Sequence, residues 1–228
     1  MFAIIQNDPE VPAGSCTDLL RAAGAEGRTF LPCDNDPLPD PASLGGIIVL
    51  GGTMGVHERE EFPYLSEVES FMKGALRLRV PLLGICLGGQ LLAHASGGSV
   101  TPRSPHGEKG ICQVSLTSGG CADPLFSGVP ATFTTFQWHY DSFLPPAGAT
   151  LLASSSRCPW QAFRCCDHAY GVQFHPEVDR AIVSGWSSPS GEAPAIVSSF
   201  DAARPVFEAH NHTILSNFIR IAINARRP

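Results

Sequence analysis

A buried strand that breaks at a cysteine and restarts as a helix constrains this chain more than any other feature. Pro81-Leu82-Leu83-Gly84-Ile85 is short, apolar and bounded by turn residues, as a fully buried strand is. Cys86 follows, and Leu87–Ser96 reads as a helix that Gly97-Gly98 ends. Gly88 and Gly89 permit a tight turn and close helix packing. Gly84-Ile85-Cys86-Leu87-Gly88 thus has the form of a nucleophile elbow, with a thiol where Gly-x-Ser-x-Gly hydrolases carry a serine. A helix N-terminus favours negative charge and presents backbone N–H groups suited to an oxyanion. On this pattern alone Cys86 is either a nucleophile or a small buried hydrophobe.

A second segment tilts the balance. The strand Ala169–Phe174 also ends at a functional side chain, in Phe174-His175-Pro176-Glu177. His175 is a candidate base for Cys86, and Pro176 stops the strand pairing. Glu177 is placed to bond the far ring nitrogen and fix its tautomer, the part taken by the third member of a triad. Only the fold can bring Cys86 and His175 together.

The remaining pattern predicts an α/β fold. Strands and helices alternate over the first hundred residues: Phe2–Gln6, a helix over Thr17–Ala25 with Thr17 or Ser15 as N-cap, the strand Gly46–Leu50, and a helix over Glu61–Leu78. The middle holds short β-like runs at Ile111–Leu116, Ala131–Trp138, Thr150–Ala153, Gln161–Cys165 and Ala169–Phe174. Ser184–Ala195 reads as a loop and His212–Ala225 as a terminal helix packing on the sheet. The expected architecture is a flavodoxin-like, doubly wound, mainly parallel central sheet with the elbow and a small antiparallel excursion, as one domain over residues 1–228.

A length of 228 residues with 43% hydrophobic content suffices for one sizeable core. The net charge of −6, with no run of Lys or Arg, argues against a nucleic-acid partner. No apolar run approaches a membrane span, and Met1-Phe2-Ala3-Ile4-Ile5-Gln6 lacks the basic start of a secretory signal, so the expected compartment is the cytoplasm. There the eight cysteines are expected as free thiols. None forms a Cys-x-x-Cys pair, so no zinc site is expected. Cys165 and Cys166, on a strand, are expected to point to opposite faces.

The motifs together resemble the class I glutamine amidotransferase family. Gly84-Ile85-Cys86-Leu87-Gly88-Gly89-Gln90 is similar to its nucleophile motif and Phe174-His175-Pro176-Glu177 to its histidine–glutamate motif. Gly51-Gly52-Thr53-Met54-Gly55, after the strand Gly46–Leu50, is similar to its oxyanion loop, although many members carry a proline where this chain has Thr53. The likeness spans roughly residues 40 to 180, in the family's motif order, and implies a stand-alone enzyme of the kind that resembles the amidotransferase domain of GMP synthases.

The resemblance implies a triad of Cys86, His175 and Glu177, with the N–H groups of Gly52 and Leu87 as the oxyanion hole. Gln90 lies one helical turn beyond Cys86 and so faces the same mouth; the family uses this position to hold the amino-acid end of the substrate. His139 and Tyr140 match a substrate-contacting loop, and Tyr140, in place of a frequent glycine, implies contact through backbone groups. Arg103, Glu108 and Lys109, in a loop near the elbow helix, either line the mouth or are merely solvated. The implied reaction is release of ammonia from glutamine through a glutamyl thioester, with no metal or organic cofactor. No synthetase sequence is visible, so the ammonia acceptor would be a separate synthetase subunit. A γ-glutamyl peptide hydrolase needs no acceptor and is the first alternative. A non-catalytic binding or regulatory module on the same fold is the second.

Overall fold

A computed structural model describes residues 1–189 and 192–225. The first half alternates as expected: β1 (Phe2–Ile5), α1 (Ser15–Ala22), β2 (Gly27–Phe30), β3 (Gly46–Val49), α2 (Tyr64–Arg77), β4 (Leu82–Ile85) and α3 (Leu87–Ala95). There follow β5 (Ser99–Thr101), β6 (Glu108–Leu116), α4 (Ser118–Ala122), β7 (Thr132–His139), β8 (Ser142–Leu144), β9 (Thr150–Ser154), β10 (Ala162–Cys165) and β11 (Ala169–Val172). Two helices close the described chain, α5 (Arg180–Ser187) and α6 (Ala193–Ala225).

Nine strands form one sheet in the order β2-β1-β3-β4-β11-β10-β9-β6-β7. The five from β2 to β11 are parallel, in the order typical of flavodoxin-like sheets. From β11 outward the pairing turns antiparallel. β5 and β8 make a separate antiparallel pair. Period-2 alternation divides the buried strand residues between two faces. Ile4, Ile48, Leu83 and Ile85 pack with Leu20 of α1 and Leu215 and Phe218 of α6. Ala3, Ile5, Ile47, Val49 and Leu82 pack with Val68 and Met72 of α2 and Leu91 of α3. No helix among the described residues is long and apolar enough to cross a membrane.

Several boundaries differ from the sequence reading. The N-cap of α1 is Gly14, at φ 50°, rather than Ser15 or Thr17. α2 starts at Tyr64 instead of Glu61, because Phe62 precedes Pro63 and that position resists helical backbone. Much of Ser184–Ala195 is helical: Asp179 caps α5 by accepting from Ile182 N–H at 2.9 Å, and Ile182 and Val183 are buried. Residues 190 and 191 of that stretch lie outside the described residues. The last helix reaches back from 212 to Ala193, since Phe200 and Phe207 bury beside Phe136 of β7. Glu108 and Lys109 begin β6 instead of lying in a loop. Cys165 is buried and Cys166 exposed, one in and one out, but Cys166 lies past the end of β10 at φ 53°.

Candidate active site

Cys86 stands between β4 and α3 at φ 51°, ψ −108°, a backbone conformation that L residues rarely adopt. Two contacts hold it there: its N–H donates to Val172 of β11 at 2.8 Å, and its carbonyl accepts from Gln90 N–H at 2.9 Å. The elbow leaves no room for side chains behind it. A Cβ on Gly84 would lie 2.3 Å from the Gly88 carbonyl oxygen, and one on Gly88 would lie 2.1 Å from that of Val49. The turn is therefore pinned between three strands of the parallel sheet, with the thiol 6% exposed at their C-terminal ends.

His175 emerges just past β11, its backbone N–H bonded to Phe136 of β7 at 2.8 Å. Its Nδ1 donates to Glu177 Oε1 at 2.7 Å, a direction fixed because a carboxylate only accepts. With Nδ1 engaged, Nε2 is the ring nitrogen left to face Cys86, whose sulfur acts on the charge of the ring. Burial works against the charged ring, but the charges of Glu177 and Cys86 outweigh it, and the His175 pKa is raised to about 10. Trp186 of α5 covers the ring edge-on, 4.9 Å between centroids. Glu177 is fully buried, and its backbone carbonyl is held by Ser15 N–H at 2.9 Å and Ser15 Oγ at 3.2 Å.

The loop after β3 folds over this pair. A Cβ on Gly51 would stand 3.1 Å from the His175 ring and 3.7 Å from Cys86 Cβ, and one on Gly52 would stand 2.8 Å from the Leu87 side chain. Gly52 and Leu87 are thus neighbours beside the thiol. Thr53 is tied to the loop after β1: its N–H and hydroxyl both donate to Asp8 Oδ2, at 3.0 and 2.5 Å. Asn7, next to it, donates to the Leu50 carbonyl at 2.7 Å. A proline at position 53 would lack both of the bonds to Asp8.

The other expected contacts divide. Gln90 is buried at the cleft, with Nε2 reaching the Asp141 carbonyl at 3.3 Å and Gln173 Oε1 at 3.5 Å. The Tyr140 side chain is exposed at the rim. His139 turns its ring away from the thiol: Nδ1 donates to the Asp141 carbonyl at 2.8 Å, and Nε2 faces Glu108 at 3.8 Å. Arg103 lines the cleft, whereas Glu108 turns its side chain, 7% exposed, towards His139 and Lys109 lies 4.6 Å over the Trp138 ring, paired with Glu192. Gln173 and Trp186 escaped the sequence reading. Gln173 Nε2 points to Cys86 Sγ at 3.7 Å. The register that sets Val172 opposite Ile85 leads Gln173 to that place, and register is invisible in a single sequence. The cleft holding Cys86, His175, Gly52 and Gln90 has a volume of about 1410 Å³.

Comparison with known proteins bears on the whole arrangement. The sequence model of the family described as glutamine amidotransferase class-I matches residues 20–182. The chain belongs to the class I glutamine amidotransferase family. Among the curated relatives of this chain is a glutamine-hydrolyzing GMP synthase of Streptococcus pneumoniae, 37% identical over 139 residues, which cover 60% of this chain and 25% of that protein. The chain therefore spans about a quarter of the length of the curated relatives it matches. A glutamine amidotransferase from Thermotoga maritima superposes with a TM-score of 0.86 at 25% identity, covering 96% of this chain and 97% of that one. A second, from Methylobacillus flagellatus, gives a TM-score of 0.84 at 27% identity over 99% and 95%. The α/β fold and the family are thus the same on both counts.

Proposed function

We propose that residues 1–228 form one amidotransferase-type hydrolase domain that releases ammonia from glutamine through Cys86, His175 and Glu177. The observation that carries this reading is the strained elbow of Cys86 set against a buried His175–Glu177 pair. His175, with its raised pKa, holds a proton at neutral pH beside the sulfur. The thiolate attacks the side-chain amide carbon, and the developing oxyanion is met by the N–H groups of Gly52 and Leu87, each such donor contributing about 3–4 kcal/mol. As the tetrahedral intermediate collapses, the C–N bond breaks and His175 gives its proton to the departing ammonia. The now neutral imidazole takes a proton from water, hydroxide attacks the thioester, and glutamate leaves with the thiolate restored. No metal or organic cofactor enters these steps. Gln90 and the 139–141 loop bind the amino-acid end of the substrate. A separate synthetase subunit, as suggested by the GMP synthase relatives, receives the ammonia.

The size of the cleft favours a second reading. Small-molecule sites usually occupy about 300–1,000 Å³, and this one is larger, so γ-glutamyl compounds with bulky amines also fit. The test is mass spectrometry of the reduced protein reacted with a glutamine-like chloroketone, alongside glutamate release from glutamine and γ-glutamyl peptides. A single adduct on Cys86, lost in Cys86→Ser together with turnover, is the expected result. Label on another cysteine, or turnover that survives Cys86→Ser, overturns the assignment. No adduct and no turnover with any substrate, candidate partners supplied, leaves a non-catalytic module.

A further inference from the structure

Behind the 139–141 loop, three buried side chains from three segments converge. Glu108 comes from the start of β6, His139 from the end of β7 and Cys158 from the turn between β9 and β10. One ligand atom of each lies within 4.8 Å of the others. The side chains of Glu108 and His139 are 7% and 1% exposed, and Cys158 is fully buried.

The hydrogen bonds leave one atom unaccounted for. His139 Nδ1 donates to a carbonyl oxygen, so in the neutral ring Nε2 carries a lone pair. That Nε2 is buried without a hydrogen-bond partner among the described residues. A charged ring would bring Nε2–H against Glu108, but 3.8 Å is too long for that bond. Leaving such an atom unsatisfied costs about 1–3 kcal/mol. A cation satisfies it.

We propose that Glu108, His139 and Cys158 bind a divalent ion of the zinc class. Imidazole, thiolate and carboxylate together select zinc or cobalt over magnesium or calcium. With metal bonds of about 2.0–2.3 Å, a tetrahedral site has ligand-to-ligand edges of about 3.3–3.8 Å. The His139–Glu108 separation of 3.8 Å closes by a few tenths of an ångström to reach the N–O edge, and the others, within 4.8 Å, close by up to about 1.3 Å. The supporting contacts are those of a ligand shell: His139 Nδ1–H on the Asp141 carbonyl, and Ser155 and Gln161 donating to Glu108. Binding displaces the Cys158 proton to solvent, and the two anionic ligands then neutralise the ion. Water completes the fourth position.

The site is separate from Cys86 and takes no part in the thioester steps. Its effect is on the loop, because the Asp141 carbonyl that His139 holds is also the one that Gln90 reaches. An ion on Nε2 therefore steadies the floor of the cleft.

The test uses the full chain carrying Cys86→Ser, so that the cleft thiol cannot bind metal, under reducing and oxygen-free conditions. Cobalt(II) is titrated and zinc content is measured after dialysis. One equivalent with a thiolate-to-cobalt charge-transfer band, and a higher Tm with zinc, are expected. Adding Cys158→Ser removes the band; Glu108→Gln keeps it but weakens affinity at least about tenfold. Failure of the Cys86→Ser protein to bind one equivalent overturns the proposal, as does a band that persists without Cys158. Should Cys158→Ser fail to fold by circular dichroism, Glu108→Gln decides, and unchanged affinity there overturns it.

Discussion

Gln173 Nε2 stands 3.7 Å from the Cys86 sulfur, with its Oε1 occupied by Gln90. The amide is thereby oriented with a donor to the sulfur, which under the proposed function makes Gln173 a positioning residue for the nucleophile. A hydrogen bond to a charged group is worth about 1.5–3 kcal/mol, so Gln173→Leu is expected to lower kcat/KM by about 10- to 100-fold. The loss should fall on kcat more than KM, and a pure KM effect would assign Gln173 to substrate binding. His175 carries the second prediction at this scale. Its pKa, ordinarily 6.5, is raised to about 10 by Glu177 and Cys86 against the opposing pull of burial. The ring should stay protonated across neutral pH and titrate only on the alkaline side, so activity should fall as pH rises towards 10. In Cys86→Ser one of the two groups that raise it is gone, and the His175 titration followed by NMR should move to lower pH. An unchanged titration would mean that the sulfur is not charged beside the ring.

At the scale of elements, the place of Glu177 depends on the entrance to α1. Gly14 has φ 50°, and a Cβ there would lie 2.0 Å from the Glu177 carbonyl oxygen. Gly14→Ala therefore combines backbone strain of at least about 1–2 kcal/mol with a clash that pushes Glu177 from His175. Both a lower Tm and a kcat loss similar to that of Glu177→Ala are expected; a Tm loss with normal kcat would show that Glu177 keeps its place. Thr53→Pro removes both bonds to Asp8, and Thr53→Val removes only the hydroxyl bond. If the tether holds the oxyanion loop, turnover should fall in both and further in Thr53→Pro. Equal activity of all three proteins would dismiss the tether. The elements themselves were legible in uneven measure. β1, β3 and β4 are apolar runs buried on both faces, and their sequences announce it. β2 passed unseen because Gly27 and Arg28 are exposed on an edge strand, and little apolar alternation remains there. The second half of α5, residues 184–187, looked like the start of a Ser- and Gly-rich loop, and the packing of the helix against Phe136, absent from any local window, makes it helical. Cys86, His175 and Glu177 stood out as candidates since each sits in a compact motif. Gln173 and the Glu108–His139–Cys158 group depend on strand register and on contacts between distant segments.

At the scale of the molecule, the cleft gathers the ends of β1, β3, β4, β7 and the face of α5. Its volume leads to the expectation that γ-glutamyl compounds with a large amine are cleaved with kcat/KM no lower than glutamine, measured by competition in one mixture. A strong preference for glutamine alone would mean that the excess space serves a partner or an ammonia path. The order of strands in the sheet has a further consequence. β11, formed from residues 169–172, lies between β4 and β10, near the middle of the sheet, although it comes late in the chain. Until it arrives, β4 ends the parallel half as a bare edge, open to pairing with another molecule. The same arrival delivers Val172, Gln173, His175 and Glu177 to the elbow, and Glu177 then meets Ser15 across a separation of 162 residues. During synthesis the cysteine emerges long before its base, so a nascent or truncated chain carries a thiol without His175 or Glu177 beside it. Under the proposed function, closing the sheet and arming the nucleophile are one folding event, and a chain that stops short of residue 177 is expected to be both sticky and inert.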